Sequence, residues 1–337
     1  AILISVFAYS SYLQNMQNPE LKWEQKMDYN IGLDAVFMGV DIRMDFYKSI
    51  TKDLVSSVGI APSTGFTTVS ENLGKVENKG FEILASYTPW QSRDGFVRIN
   101  GSIAYNKDKI LKISDAMRQF NENQAALAAM EDQALPVAQY QDGLSMNTIF
   151  AVPSLGIDPA IGLEMYRKQD GSSTYIWRDT DRVPCGVSVP LYRGTVGITG
   201  EYKGIGISIT GRYLGGGQMY NSTLVNMVEN ADISQNFDRR VLTERWNHVG
   251  HHAFFKRYKS NTPYDLRNGI YWYSKDGWRQ PPTQSTSRFV QDQKEFDISS
   301  ISVYYDFKRE WIQKIGLERL KLSFYMNDIC KFSSIKV

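Results

Sequence analysis

The feature that most constrains this 337-residue chain is a two-residue period of apolar side chains that runs through long paired segments. In Tyr192–Tyr202 and Ile205–Tyr213, apolar or glycine positions alternate with polar ones, and Lys203-Gly204 separates the two segments. A period of two places the two sets on opposite faces of a strand. Strands of about 10 residues, tilted by about 45°, are long enough to cross a bilayer core. The pattern predicts a membrane-spanning hairpin.

The same period recurs in six further segments, which bring the prediction to eight strands in four hairpins. These segments are Tyr29–Phe37, Val40–Tyr47, Phe81–Tyr87, Val97–Tyr105, Ile301–Phe307 and Leu320–Asn327. Thr88-Pro89 is expected to end the strand Phe81–Tyr87, because proline cannot donate a hydrogen bond to a strand ladder. A change of parity at Ser299-Ser300 predicts a β-bulge.

The connections between these strands alternate in length. Within hairpins they are short: Met38-Gly39, Thr88–Gly95, Lys203-Gly204 and Lys308–Arg319. Between hairpins they are long: Ser49–Gly80, Asn106–Leu191, where a further strand is expected near Ser145–Val152, and Gly215–Glu295. Short periplasmic turns and long extracellular loops are typical of outer-membrane barrels. The predicted fold class is therefore all-β, as part of a large antiparallel transmembrane barrel.

Composition is compatible with this prediction, although it resembles that of a soluble chain. Hydrophobic residues make up 42% of the chain, the mean hydropathy is −0.36 and the formal net charge is +2. A barrel gives such values because half of each strand faces a polar lumen. The near-neutral charge favours no nucleic-acid partner, and Cys185 and Cys330 form neither a disulfide framework nor a metal motif. A soluble, secreted β-rich carbohydrate-binding or hydrolase domain stays open, because any half-buried antiparallel sheet alternates in this way.

Charged residues on the polar rows of the strands are expected to line a wet lumen, where they pair with one another or meet water. They are Asp34, Asp41, Arg43, Asp45, Arg98, Glu201, Arg212 and Lys321.

Three groups of residues outside the strands invite a chemical interpretation. His248, His251 and His252 are the whole histidine complement and would suit a transition metal, but their spacing matches no catalytic zinc motif, so a solvated or loop-packing role is favoured. The pairs Asp158 with Glu164 and Asp179 with Asp181 would suit a glycosidase only at set distances that a sequence does not give. We therefore predict no catalytic, cofactor-binding or metal residue and no enzyme activity, and the substrate-binding residues are left unassigned.

Aromatic residues are concentrated in the last long connection, and two roles for them are left open. They are Trp246, Phe254, Phe255, Tyr258, Tyr264, Tyr271, Trp272, Tyr273 and Trp278. Such residues would suit a sugar-stacking or protein-docking surface. They would equally suit a small core that orders a long loop.

Several segments, in order along nearly the whole chain, resemble the SusC/RagA-like outer-membrane transporters, a branch of the TonB-dependent receptors. They are Asn18–Glu24 (NPELKWE), Asn72–Glu82 (NLGKVENKGFE), Tyr105–Lys109 (YNKDK), Ser154–Pro159 (SLGIDP), Gly217–Ser222 (GQMYNS) and Leu320–Asp328 (LKLSFYMND). The resemblance implies a 22-stranded barrel with a plugged lumen. Residues 1–337 would then be the C-terminal portion of the receptor barrel, without the plug domain, signal peptide and final strand.

The resemblance also implies a function. Such a protein would be a multi-pass protein of the Gram-negative outer membrane, in contact with its lipid, and would take up oligosaccharides or oligopeptides. It would work with a SusD-like surface lipoprotein and with TonB, which would act through the N-terminal region. A siderophore-type TonB-dependent receptor without a lipoprotein lid is the nearer alternative.

Overall fold

The computed structural model of the protein describes residues 16–59, 66, 68–128, 135–231, 236–257 and 283–335. Its strands are β1 (Gln25–Phe37), β2 (Val40–Lys52), β3 (Val55–Gly59), β4 (Thr68–Asn72), β5 (Gly74–Gln91), β6 (Gly95–Ile113), β7 (Thr148–Ala151), β8 (Ser154–Ile157), β9 (Glu164–Arg167), β10 (Ser173–Thr174), β11 (Val183–Val187), β12 (Tyr192–Tyr202), β13 (Ile205–Tyr220), β14 (Val290–Asp306) and β15 (Lys321–Ser333). Its α-helices are α1 (Asp115–Ala128), α2 (Ser222–Leu224), α3 (Arg240–Thr243) and α4 (Arg309–Ile312), with a π-helical turn at Val225–Glu229 and 3-10 turns at Asp179–Asp181, Ser287–Phe289 and Gln313–Ile315. No helix within the described ranges combines the length and the apolarity that a membrane span requires.

The eight predicted strands are all present and lie side by side in one antiparallel sheet. The strand order is β1-β2-β5-β6-β12-β13-β14-β15, so each strand of this sheet pairs with the next one along the chain. We call this sheet the wall. The predicted all-β class and the large antiparallel sheet are confirmed. Among the described residues the wall stays open, with β1 and β15 at its two edges.

The short connections have the geometry that tight hairpins require. Met38 and Gly39 have φ values of 51° and 80°, and Lys203 and Gly204 have φ values of 51° and 88°. Positive φ at both central residues is the mark of the two-residue turns whose twist matches that of the flanking strands. The predicted bulge is also confirmed, since the pairing of β14 with both neighbours skips Ser299.

One predicted strand end is wrong. Thr88-Pro89 does not stop its strand, because β5 continues to Gln91. The pairing passes from Tyr87↔Ile99 to Trp90↔Val97, so Thr88 and Pro89 together oppose the single residue Arg98. A bulge leaves the extra residue outside the ladder, and the missing N–H of proline then costs no hydrogen bond.

The two faces of the wall differ in the way that the alternation predicts. Large apolar side chains of one face are exposed, among them Ile31, Leu33, Phe37, Ile198, Ile207, Leu322 and Phe324. Contiguous apolar surface is uncommon on soluble proteins and marks a face that meets lipid or a partner. The opposite face carries the charged and small polar residues.

Glycines that interrupt the rows of the wall are filled from the next strand. Gly80, Gly194, Gly206 and Gly215 stand directly opposite Tyr47, Tyr213, Tyr304 and Tyr192, respectively. A Cβ atom built on any of the four would lie within 3 Å of the facing tyrosine ring. Each ring therefore covers the gap that its glycine leaves, which compensates for the missing side chain in the sheet.

Three long connections lie at the same end of the wall strands, because all neighbouring strands are antiparallel. The first connection joins β2 to β5 and contains the β3–β4 hairpin. The second joins β6 to β12 and contains α1, the three-stranded sheet β8-β9-β10 and the β7–β11 pair. The strand expected near Ser145–Val152 is thus confirmed as β7, inside this connection and not in the wall. The third joins β13 to β14 and contains α2 and α3. We call the three connections together the loop layer.

Candidate functional site

The polar face of the wall carries charges that neutralise one another across strands. Arg43 donates to Asp34 on the neighbouring strand at 2.9 Å, and Arg212 donates to Asp297 at 3.1 Å. The Tyr304 hydroxyl donates to Glu201 at 2.5 Å, and Lys321 lies 3.6 Å above the ring of the same tyrosine. Three more of the predicted lumen residues lie on this face. Asp41 accepts from Ser86, Arg98 donates to Thr88, and Asp45 lies two residues from Arg43 on β2.

These contacts agree with the expectation that lumen-row charges pair with one another. Most of the pairs are open to solvent, since the side chains of Arg43 and Asp34 are 65% and 72% exposed. Pairs of this kind contribute little to stability and keep the surface wet.

The middle of the polar face contains a concave patch of about 760 Å³. Its floor consists of small residues, Ser102, Ala104 and Thr195, on the central strands β6 and β12. Charged residues of both signs also line it, among them Arg193, Arg212, Glu82, Glu295 and Asp297. The lining thus combines small residues with charged groups of both signs, which can donate to and accept from a polar molecule.

The loop layer has a different construction, with two small apolar cores of its own. One joins the first connection to the second: Met117 of α1 and Leu73 are buried at its centre, with Phe120 and Tyr140 packed around them. The other lies within the third connection and consists of Leu224, Val225, Val228, Ala231, Val241, Phe255 and Phe289. Both cores order residues that a strand ladder does not reach.

Hydrogen bonds join the second connection to the third along a continuous line, which we call the seam. The Trp246 indole donates to Pro159 O at 2.8 Å, and Arg257 N donates to Gly162 O at 2.8 Å. The ring of Trp246 lies on Gly162, where any Cβ atom would come within 2.4 Å of it. Further bonds run between Ser154 N and Ser287 Oγ, Ser287 N and Val152 O, and Trp177 Nε1 and Ser285 O.

A buried ion cluster lies at the centre of the seam. Arg288 donates through Nε and Nη2 to the two carboxylate oxygens of Glu164, at 3.0 and 2.7 Å, and through Nη2 to Glu229 at 2.7 Å. The side chains of Glu164, Glu229 and Arg288 are 2%, 0% and 5% exposed. Arg245 donates to Val228 O, Glu229 O and Lys256 O beside them.

The cluster fixes the charge of its members. Burial disfavours the ionised form of Glu164, but the Arg288 guanidinium outweighs burial and holds the pKa of that carboxyl below its usual value. Burial also opposes the charge of Arg288, yet Glu164 and Glu229 raise the pKa of the guanidinium above its ordinary value. Burial lowers the pKa of Lys256, against the pull of Glu229 and Glu164. Arg288 and Glu164 therefore stay charged at neutral pH.

The aromatic residues of the third connection are divided by the structure. Phe255 is fully buried in the core of that connection, and Trp246 is half-buried in the seam, so these two order the loop. Phe254 is 41% exposed, although it stacks edge-on with Phe255 and Phe289. Tyr258, Tyr264, Tyr271, Trp272, Tyr273 and Trp278 lie outside the described residues, so the docking or sugar-stacking interpretation of the group stays a prediction.

The histidine cluster packs against itself. The rings of His248 and His251 stack in parallel with centroids 5.1 Å apart, and His248 Nδ1 shares a hydrogen bond of 2.5 Å with Asn247 Oδ1. Within the described part of the chain, no three His, Cys, Asp or Glu side chains come together as a metal site would require.

The two carboxylate pairs are engaged in local structure. Asp158 accepts from the Tyr175 hydroxyl at 2.5 Å and from Ala160 N at 2.8 Å, which shapes the turn before β9. Asp179 forms an ion pair with Arg182 at 2.6 Å, and Asp181 accepts from Gln169 N at 3.1 Å. Glu164 turns to Arg288 instead, so Asp158 and Glu164 serve different partners.

Sequence reasoning missed Glu229 and Arg288 and paired Glu164 with the wrong residue. Arg288 is 124 positions from Glu164, and no local pattern joins them. A weaker signal exists in the sequence: Glu164 lies between Leu163 and Met165, and Glu229 and Arg288 each have one apolar neighbour, Val228 and Phe289. Charged residues in such settings are buried only when they are paired.

Comparison with known proteins identifies the type of fold. The family described as "TonB dependent receptor-like, beta-barrel" matches residues 5–147. TonB-dependent receptor P3 of Formosa agariphila is 22% identical over 329 residues, which cover 92% of this chain and 30% of that protein. TonB-dependent receptor SusC of Bacteroides thetaiotaomicron is 32% identical over 109 residues, which cover 32% of this chain and 11% of that protein.

Solved structures show the same fold over nearly the whole chain. The RagAB peptide transporter superposes with a TM-score of 0.72 at 16% identity, over 94% of this chain and 33% of that chain. The RagAB peptide importer in its closed-closed state gives the same TM-score at 17% identity. The chain spans about a third, at most, of the length of these proteins. The resemblance to the SusC/RagA-like TonB-dependent receptors is confirmed.

Proposed function

We propose that this chain, a barrel wall of the SusC/RagA-like TonB-dependent receptor type, is part of a nutrient importer in the outer membrane of a Gram-negative bacterium. One observation carries the proposal: an eight-stranded antiparallel wall has an apolar exposed face, a charged opposite face and long connections at one end of its strands. A sheet with these two faces separates lipid from an aqueous lumen.

Residues 1–337 would form the C-terminal portion of a larger barrel. The edges of the wall support this assignment, because β1 and β15 are each 13 residues long and each has a neighbour on one side alone among the described residues. Long edges of unpaired N–H and C=O groups are unstable in hydrocarbon, where each group needs a partner. Further strands that pair with β1 and β15 would close the wall.

The cargo would be an oligosaccharide or an oligopeptide, and the transporter would not be an enzyme. The charged and hydroxyl-bearing polar face provides donors and acceptors for either cargo. The loop layer lies at the end of the strands where cargo would enter. A SusD-like surface lipoprotein would cover that end, and TonB would supply the energy that opens the lumen. RagAB, which has the same wall fold, is described as a peptide importer.

The proposal is tested by purifying the native full-length protein from detergent-solubilised outer membranes and identifying by mass spectrometry what accompanies it. A stoichiometric surface lipoprotein with a bound glycan or peptide is the expected result, and the bound molecule names the cargo class. A membrane protein with a bound ferric chelate and no lipoprotein would replace the proposal with the siderophore-type receptor. Recovery of the protein in the detergent-free soluble fraction would contradict membrane import itself.

A matched control comes from the membrane preparation. An unrelated outer-membrane barrel, carrying the same affinity tag in the same cells, is purified in parallel. A lipoprotein that accompanies both proteins in equal amounts is a contaminant of the membrane fraction and counts against the lidded importer.

A further inference from the structure

We propose that Arg288 is a latch that makes the described segments around Glu164, Glu229 and Arg288 open and close together. Arg288 lies at the end of the third connection, just before β14. It binds Glu229, from the start of the same connection, and Glu164, from β9 of the second connection. One guanidinium thus joins three chain segments that are far apart in sequence.

The charge balance of the cluster explains why the segments cannot separate singly. Glu164 and Glu229 face Arg288 and lie close enough to Lys256 to act on its pKa. If β9 moved away alone, Glu164 would be hydrated, but the Arg288 guanidinium would remain buried with one carboxylate fewer. A buried charge that loses its partner is far more costly than an exposed one. The low-cost motion therefore exposes all members together.

The seam gives the latch its geometry. The bonds from Trp246 to Pro159, Arg257 to Gly162 and Ser287 to Val152 join the same two connections as the cluster does. Hydrogen bonds near a surface open individually, since water replaces the lost partner at little cost. The buried cluster is the part of the seam for which water is not an adequate substitute until the whole interface opens.

The arrangement between the first and second connections provides an internal contrast. There the contact consists of apolar residues around Met117 and Leu73. Apolar contacts weaken gradually as area is exposed, because their energy is proportional to that area. The ionic contact is all-or-none, and this difference is what identifies it as a latch. The inference does not depend on the import proposal.

The unmutated protein gives the first test, by hydrogen exchange of the full-length protein in detergent at increasing denaturant. The latch predicts that amides of Glu164–Arg167 and of Val225–Glu229 exchange through a common opening, with one opening free energy and one denaturant dependence. Two clearly different opening free energies would overturn the proposal.

The variant Glu164→Gln gives the second test, because it removes one charge at almost constant shape. We expect exchange to accelerate roughly 100-fold in both segments, although the substitution lies in one of them. The control is Asp238→Asn, which removes a carboxylate whose partner, Arg240, is in the same connection; neither segment should change. Acceleration of Glu164–Arg167 alone would show a local role and would contradict the latch.

The variant Arg288→Lys separates charge from geometry. A lysine keeps the positive charge but presents one ammonium instead of a planar fork, so it does not hold both carboxylates in the same way. Both segments should again accelerate together, by less than in Glu164→Gln. Exchange as slow as in the unmutated protein would show that charge alone is sufficient and that the bridging geometry of Arg288 is not needed.

Discussion

The wall and the loop layer use the same charged residue types in opposite ways. On the wall, the Arg43 and Asp34 side chains are 65% and 72% exposed, and their pairing leaves both in water. In the loop layer, the Glu164 and Glu229 side chains are 2% and 0% exposed, and both depend on Arg288. The wall is held by strand ladders, so its charges are free to interact with polar molecules. In the loop layer, the buried charges join the second connection to the third, beside two apolar cores.

This contrast suggests a division of labour in the proposed importer. A surface for cargo needs donors and acceptors that are available to exchange partners, which the polar face of the wall provides. A gate needs parts that move together, which the proposed latch at Arg288 would provide.

The largest effect is expected from Arg288→Met, which breaks the loop side of the comparison. The substitution leaves Glu164 and Glu229 buried without their common cation, which should destabilise the loop layer by about 3–5 kcal/mol. Limited proteolysis of the full-length protein in detergent should show faster cleavage in the second and third connections. The heat-modifiable gel mobility of the barrel should be unchanged. Cleavage no faster than in Arg240→Met, which breaks a more exposed pair, would contradict the difference between the two regions.

The next-largest effect is expected from a substitution on the apolar face of the wall. Ile198 is 45% exposed on the apolar face, midway along β12, and Thr199 is its neighbour on the polar face. Ile198→Arg should cost about 2–4 kcal/mol in lipid, because it places a charge near the bilayer midplane. Thr199→Arg should cost much less, since it faces the wet side. Urea unfolding of both full-length variants in lipid vesicles measures the difference, and equal losses would mean that the faces are assigned wrongly.

A smaller effect is expected from Gly206→Ala, which tests the packing within the polar face. The added Cβ atom would lie 2.1 Å from Cζ of Tyr304, so the ring must move and its 2.5 Å hydrogen bond to Glu201 is lost. We expect a loss of about 1–3 kcal/mol, as for other overpacked sites. Gly101→Ala is the control, because its Cβ atom would meet Thr195 O at an ordinary 3.7 Å. Thermal unfolding that ranks the two variants equally would refute the role of the Gly206–Tyr304 pair.

The smallest effect is the pH dependence of the more exposed ion pair between Asp238 and Arg240. A side-chain hydrogen bond from Arg240 lowers the pKa of Asp238 from 3.8 to about 2. Because the folded-state pKa is depressed, the stabilisation is complete above pH 3.8 and is lost as the pH falls toward 2. Arg240→Gln should return the pKa of Asp238 toward 3.8, as followed by carboxyl-carbon NMR of the labelled protein. An unchanged titration would show that Arg240 is not the cause.

The strands of the wall could be predicted almost completely from the sequence, since a two-residue period is a local signal. The two-residue period predicted all eight strands, and Met38-Gly39 and Lys203-Gly204 were correctly predicted as the turns of two hairpins. The parity change at Ser299-Ser300 gave the bulge. The strand ends were less predictable: β5 and β6 run on to 18 and 19 residues, past the apolar rows, because pairing continues where side chains no longer alternate.

The loop layer could not be predicted in the same way, because its contacts join residues far apart in the chain. Glu164 was identified only as a member of a carboxylate pair, while its actual partner Arg288 is 124 residues away. Gly162 gives no sign that Trp246 lies on it. Periodicity reports the face of a strand, whereas a seam between loops depends on three-dimensional proximity that no period encodes.

The most direct measurement is a nitroxide scan of Arg193–Glu201 in the full-length protein, carried out in native outer-membrane vesicles. The account predicts a two-residue alternation: oxygen, which concentrates in lipid, reaches positions 194, 196, 198 and 200, and a water-soluble nickel complex reaches 195, 197 and 199 more readily. Such a result would establish one lipid-facing and one aqueous face on this strand. Equal access of the nickel complex to all positions would contradict a membrane-spanning wall.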